Sequence, residues 1–255
     1  MTAVIVNFNN GEMIVKLVEK LVGFSNLNKV VVIDNNSTDG SLEDLKKLQS
    51  RKLQLIENQQ NQGFAAAVNR GIKSTLQEEK GGYLLINPDV TLDESDISTF
   101  KNTRGEIVAP IIRFQRNSAL IFDYGGRVNF LFGHTWHQEF NSDKVNLETQ
   151  SDYYSGACLY ITRKAIDTIG LFDEEFFMYF EDVDYCLRAK KAGLHLQLNL
   201  NIVVEHQISE HRFGSHKQKK RYLLRSNYLF IKKWIRWPFR FFALSYLVLM
   251  IVLKT

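Results

Sequence analysis

The stretch FMYFEDVDYCLR carries three carboxylates, Glu181, Asp182 and Asp184, within four residues. Five apolar or aromatic residues, 176–180, stand directly before them. An isolated carboxylate is costly to desolvate, so acids behind such a run need a reason. One reason is local: acids at a helix start are stabilised by the helix dipole and its free N–H groups. The other is catalytic: a carboxylate kept ionised in a cleft can take a proton from an attacking hydroxyl. Val183, Cys186 and Leu187 fall at i, i+3 and i+4, which predicts a helix over 181–192 that Gly193 stops. On it Asp184 and Arg188 are spaced for an ion pair, which assigns Asp184 a structural role.

Other residues with chemical potential sit at the ends of apolar runs. KVVVID ends on Asp34, LQLIE is followed by the Asn61–Gly63 loop, and YLLI runs into Asn87-Pro88-Asp89. These runs read as buried strands, together with AVIVNF at 3–8. Helical spacing predicts helices over 12–24, about 40–50 and about 65–79. Strands alternating with helices predict an α/β fold with a mostly parallel central sheet and flanking helices. In such sheets ligands bind beyond the carboxyl ends of the strands, where Asp34, Gly63 and Asp89 all fall. No G-x-G-x-x-G or P-loop follows the first strand, which removes the usual dinucleotide and nucleoside-triphosphate readings. Later, IVAPII at 107–112, CLYIT within 155–162, LHLQLN and IVVEHQ read as strands, and the last carries His206. Residues 113–151 are polar and poorly periodic and predict no regular element.

At 255 residues the chain can bury a full core. Its two cysteines, Cys158 and Cys186, lack metal-ligand spacing and suit a reducing compartment. The N-terminus lacks the basic and apolar regions of a signal peptide. The net charge of +4 is unevenly spread: residues 211–240 hold ten Lys and Arg and no acid, leaving −6 for the remainder. Thirteen residues with one Ser follow at 241–253, too short a run to span a bilayer alone. Aromatics interleave with the cations of this tail, which fits association with an anionic lipid surface better than nucleic-acid binding.

The chain resembles inverting glycosyltransferases of family 2, in particular their bacterial rhamnosyltransferase-like branch. The resemblance lies in VIVNFNN (4–10), VVIDNNSTDGS (31–41), NQGFAAAVNRGI (61–72), LLINPDV (84–90), the long block 155–194, and VEHQ (204–207). It implies a GT-A-type nucleotide-diphospho-sugar transferase fold over 1–210, with 211–255 as a membrane-association segment. It implies transfer of a sugar, such as rhamnose from a dTDP donor, to a saccharide or polyprenyl-linked glycan in bacterial surface polysaccharide synthesis. The place of work would be the cytoplasm, at the inner face of the cytoplasmic membrane.

The resemblance also implies site roles. Asp182 is the base, with Glu181 orienting it or the acceptor. Asn7, Asp34, Asn61, Gly63, Asn69, Asn87, Gly156 and Ala157 contact the donor, Asp34 through the nucleobase. Asp89 and His206 are the metal candidates, and the cofactor is a divalent cation, Mg²⁺ or Mn²⁺. One carboxylate suffices for such a cation when substrate phosphates and water complete its shell. His211 and Ser215 are lesser candidates. Against this stand an inactive sugar-nucleotide-binding scaffold, a nucleic-acid-binding protein acting through the tail, and a nucleotidyltransferase.

Overall fold

The structure, a computed structural model, describes residues 1–142, 151–207 and 216–253. His211, Ser215 and the expected boundary at 210 lie outside the described residues. The first half alternates as predicted: β1 (Thr2–Asn7), α1 (Gly11–Gly23), β2 (Lys29–Asp34), α2 (Ser41–Lys47), β3 (Leu53–Glu57), α3 (Phe64–Thr75) and β4 (Gly82–Ile86). The four strands are parallel in the order β3-β2-β1-β4. Asn7 pairs with Asp34, and Asp34 with Glu57, so three strands end at one edge.

The sheet then changes direction. β5 (Val90–Thr91), α4 (Glu94–Asn102), β6 (Ile107–Arg116), β7 (Ala119–Asn129), β8 (His134–Phe140), β9 (Cys158–Thr162), α5 (Arg163–Ile169), α6 (Glu181–Lys191) and β10 (Leu196–His206) complete the sheet and its helices. β9 lies antiparallel between β4 and β6, and β10 runs parallel to β6. The two late strands expected from sequence are one strand, β10, with a register shift between Asn199 and Val203. β10 also meets β5 antiparallel, pairing His206 with Val90.

Within the segment expected to lack regular structure, residues 113–140 belong to a long antiparallel ribbon. β6 turns into β7 through Asn117 and Ser118, both left-handed (φ 50° and 63°), as a two-residue hairpin turn requires. β7 pairs with β8, and an extra residue bulges between Asp123 and Gly126. The ribbon was hard to see in sequence because Gly125-Gly126 and the bulge break the two-residue alternation. Much of β8 is also exposed, so it carries no apolar pattern.

One apolar cluster packs α1, α2 and α4 on one face of the sheet. The other packs α3, α5 and α6 on the opposite face. α7 (His216–Trp234) and α8 (Phe239–Leu253) join that second cluster through Phe230, Ile231, Ile235 and Ala243, all buried. The basic segment is therefore docked on the domain, not detached from it.

Candidate active site

A cleft of about 1250 Å³ opens at the carboxyl edge of the parallel strands. That exceeds the roughly 300–1,000 Å³ of a single small-molecule pocket and leaves room for two substrates. Its lining includes Asn61, Gly63, Asn87, Asp89, Gly156, Ala157, Glu181, Asp182 and His206. Residues spread over 145 positions of sequence thus converge on one cavity.

Three expected donor contacts are not on the cleft wall. Asn69 is buried and donates to the Phe172 carbonyl and to Glu174, while its own oxygen accepts from Phe172 N–H. It staples α3 to the loop before α6. Asn7 is fully buried and donates to Asp34 at 2.8 Å and to Ser41. The other Asp34 oxygen accepts from Ser37 N–H at 3.0 Å. Buried polar groups need such partners, and here the partners are the turn after β2. The wall itself is made by neighbours that sequence reasoning passed over, Asn9, Asn10 and Asn35. Asn35 bridges the carbonyl of Gly63 and the amide of Asn58.

Gly63 has a left-handed φ of 84°, and a Cβ there would stand 2.4 Å from the Phe177 carbonyl oxygen. That carbonyl accepts from Phe64 N–H at 2.8 Å. Glycine is required because the loop bearing the acids crosses the start of α3 at backbone contact distance.

Asp89 and His206 meet at the cleft through the β5–β10 pairing, Nε2 to Oδ1 at 3.2 Å. Both side chains are mostly buried, with 13% and 19% exposed. A carboxylate oxygen and an imidazole nitrogen fit two positions of a Mn²⁺ or Mg²⁺ shell. Among the described residues no group of three or more His, Cys, Asp or Glu could hold a metal alone. The donor set therefore fits a cation whose remaining positions are filled by a phosphate-bearing ligand and water.

The acid turn is built on strain. Tyr179 and Phe180, just before α6, both take left-handed φ values of 70° and 68°. Such conformations cost about 1–3 kcal/mol each and persist only when surroundings hold them. Here one face of α7 holds them. Tyr222 stacks on Phe177 at 4.5 Å, Ser226 donates to the Met178 carbonyl, and Phe230 packs on Phe180 at 5.1 Å. One turn further, Trp234 Nε1 donates to Asp184 at 2.9 Å and Lys233 pairs with the same oxygen. The expected Asp184–Arg188 pair is present at 2.8 Å, but Asp184 is wholly buried. Its role exceeds an exposed helix pair: it ties α6 to α7.

Beyond this turn, Asp182 accepts from Gly156 N–H at 2.9 Å and from Val183 N–H at 2.8 Å. Glu181 is 7% exposed, and its Oε2 has no hydrogen-bond partner among the described residues. Burial pushes the Glu181 carboxyl well above its ordinary 4.5, and the Asp182 charge pushes it further. Burial raises Asp182 too, but the Gly156 N–H, nearby His137 and the Val183 N–H oppose the rise. Two adjacent buried acids cannot both ionise cheaply, so the one with donors carries the charge. Asp182, with two backbone donors, is the more readily ionised of the pair, and Glu181 holds its proton more firmly.

The ribbon supplies a wall that the sequence did not announce. Thr135 and His137 of β8, with Tyr153 beside them, line the same cleft. Only a strand assignment for 113–151 could have flagged them, and the broken alternation hid it.

Comparison with known proteins now decides the family. The model of "Glycosyl transferase family 2" matches residues 2–169, and that of "Glycosyltransferase like family 2" matches 128–223. The chain belongs to glycosyl transferase family 2. It is 25% identical over 202 residues to the low-salt glycan biosynthesis hexosyltransferase Agl10 of Haloferax volcanii, covering 77% of this chain and 63% of that protein. It is 28% identical over 193 residues to N-acetylglucosaminyl-diphospho-decaprenol L-rhamnosyltransferase of Mycobacterium tuberculosis, covering 64% and 61%. It thus spans about three fifths of the length of these relatives. Among solved structures it is similar to GalNAc-T7 with UDP, GalNAc and Mn²⁺ (TM-score 0.65, 14% identity, 91% of this chain and 47% of that one). It is also similar to the mannosyltransferase PcManGT of Pyrobaculum calidifontis with GDP-Man and Mn²⁺ (TM-score 0.59, 15% identity, 96% and 69%). These likenesses carry the fold, which is the GT-A type expected from sequence.

Proposed function

We propose that this family 2 chain is an inverting glycosyltransferase that uses a nucleotide-diphosphate sugar. The observation that carries the reading is the Glu181–Asp182 turn. It places one backbone-bonded carboxylate in a two-substrate cleft that also holds the Asp89–His206 pair. Asp182 takes the proton of an acceptor hydroxyl as that oxygen bonds to the anomeric carbon. The bond from that carbon to the diphosphate breaks on the opposite face, and the electron pair leaves with the diphosphate. Base assistance of this kind is commonly worth about 10²–10⁴-fold. Neutral Glu181 keeps a second negative charge away from the acceptor and offers a hydrogen bond. Asp89 and His206 would hold a divalent cation, which when bound neutralises charge on the diphosphate. Asn35, Asn61, Gly63 and Asn87 line the donor side, and Asp34 with Asn7 shapes the turn behind it.

The relatives' names favour rhamnose from a dTDP donor: one is the dTDP-rhamnosyl transferase RfbF of Shigella flexneri, 24% identical over 190 residues. The acceptor in this reading is a lipid-linked glycan, met at the cytoplasmic face of a membrane. No described helix is long and apolar enough to cross a membrane. Yet α8 exposes Phe239, Phe241, Phe242, Val248 and Leu249, next to the cations of α7. The β7–β8 tip adds exposed Phe130, Leu131 and Phe132, and Phe132 reaches Tyr246 of α8 at 5.4 Å. Apolar residues beside cations suit an anionic bilayer surface. A screen of nucleotide sugars with Mg²⁺ or Mn²⁺, read by nucleoside diphosphate release with a lipid-linked acceptor, tests the reading. Release from no donor would end it.

A further inference from the structure

The ribbon wall holds a pair that the transfer mechanism above does not use. Asp123 of β7 is 6% exposed, and one carboxylate oxygen accepts from Gly125 N–H at 2.8 Å. The other meets Nδ1 of His137 at 2.8 Å. The β7 bulge makes this contact: Asp123 pairs with Glu139 and Gly126 with His137, so the two side chains are diagonal neighbours. The Tyr153 ring packs edge-on to the imidazole at 5.3 Å. Tyr153 in turn lies on Gly126, where a Cβ would stand 2.1 Å from its ring. A buried carboxylate on Nδ1 holds the proton there and fixes the ring orientation, so Nε2 accepts when the ring is neutral and donates when it is an imidazolium.

We propose that His137, oriented by Asp123, is an acceptor-positioning residue that hydrogen-bonds through Nε2 to an acceptor hydroxyl in the cleft it shares with Asp182. The proposal rests on the glycosyltransfer reading and concerns the half of the site that no strand end supplies. A hydroxyl-rich acceptor needs such a fixed partner to present one oxygen to the base. An imidazole whose other nitrogen is held by a carboxylate is rigid enough to do so.

The same pair sets a charge. The groups facing His137 are Asp123 of β7, Glu139 of β8, which pairs with Arg116 of β6, Asp182 of α6, and the Tyr153 phenol. Burial alone would lower the imidazole below its ordinary 6.5, but the Asp123 bond and charge outweigh it, and Asp182 and Glu139 add to the rise. His137 is thus a cation over more of the neutral range than a free histidine. Its contribution to stability is full below pH 6.5 and is lost as pH rises through the elevated folded value.

The test has two arms on the full chain. In the first, the imidazole Cε1–H resonance is followed against pH by NMR. It is assigned by its loss in His137→Gln or, should that variant not fold, by its proximity to the Tyr153 ring. The wild-type value is expected above 6.5, lower by about one unit or more in Asp123→Asn, and lower by a smaller step in Asp182→Asn. A value unmoved by Asp182→Asn overturns the shared-cleft geometry. In the second arm, His137→Gln is expected to raise the acceptor KM about tenfold while the donor KM stays within twofold. Equal changes in both KM values, or in neither, would overturn acceptor positioning. If wild type transfers no sugar from any donor, the glycosyltransfer reading fails, and with it acceptor positioning. The titration still decides the geometry by itself.

Discussion

The two halves of the cleft are assembled in different ways. In the proposed reading the donor half comes mainly from strand ends and the loops after them within the first ninety residues, joined by Gly156 and His206 at the ends of later strands. Each piece is local: an apolar run, a turn and a helix start. The acceptor half comes from the β7–β8 ribbon, the strained turn before α6 and the clamp of α7, which are far apart in sequence. Its parts make sense only together, since the turn with left-handed Tyr179 and Phe180 is held at Phe177, Met178 and Phe180 by Tyr222, Ser226 and Phe230. Local order can be read from a chain; order imposed by a distant helix face cannot.

This contrast can be broken by substitution. Phe230→Ala empties a fully buried site between α7 and the acid turn. It should cost about 3–5 kcal/mol in denaturant unfolding. A loss under about 1 kcal/mol would mean that α7 is loosely attached. Gly63→Ala tests where the halves touch. The strained φ and the clash with the Phe177 carbonyl should destabilise by more than about 1 kcal/mol and slow transfer.

Glu181→Gln sharpens the split between the two acids. The folded carboxyl is raised, so its ionisation opposes folding, and the wild type loses stability as pH rises from about 4.5 toward the folded value. The glutamine variant has no such loss. Its advantage over wild type should therefore grow with pH across that window, while transfer stays within about tenfold of wild type. The smallest effect on stability is expected on the exposed side of the same tail. Phe241→Ser with Phe242→Ser should change unfolding by no more than about 0.5 kcal/mol per site yet reduce co-sedimentation with anionic liposomes.

Much of the donor side was legible in sequence. The parallel strands of the first half and the cleft edge follow the predicted alternation, and Asn87, Asp89, Gly156 and His206 converge on that cleft. Asn7, Asp34 and Asn69 show its limit, because residue type and position could not tell a wall from the hydrogen bonds behind it. Asn35, one residue beyond Asp34, is the one that lines the cleft. The acid turn stood out by composition and the resemblance already pointed to Asp182 as base; the Gly156 and Val183 N–H groups add a physical ground for preferring it to Glu181. His137 and Asp123 stayed hidden because a bulge and two glycines erased the strand pattern.

The central claim is that Asp182 is the base and Glu181 its neutral neighbour. Transfer rate and nucleoside diphosphate affinity measured together in Asp182→Asn test it most directly. The account predicts a loss of at least about 10²-fold in transfer with diphosphate affinity unchanged. Transfer within a few-fold of wild type would contradict it.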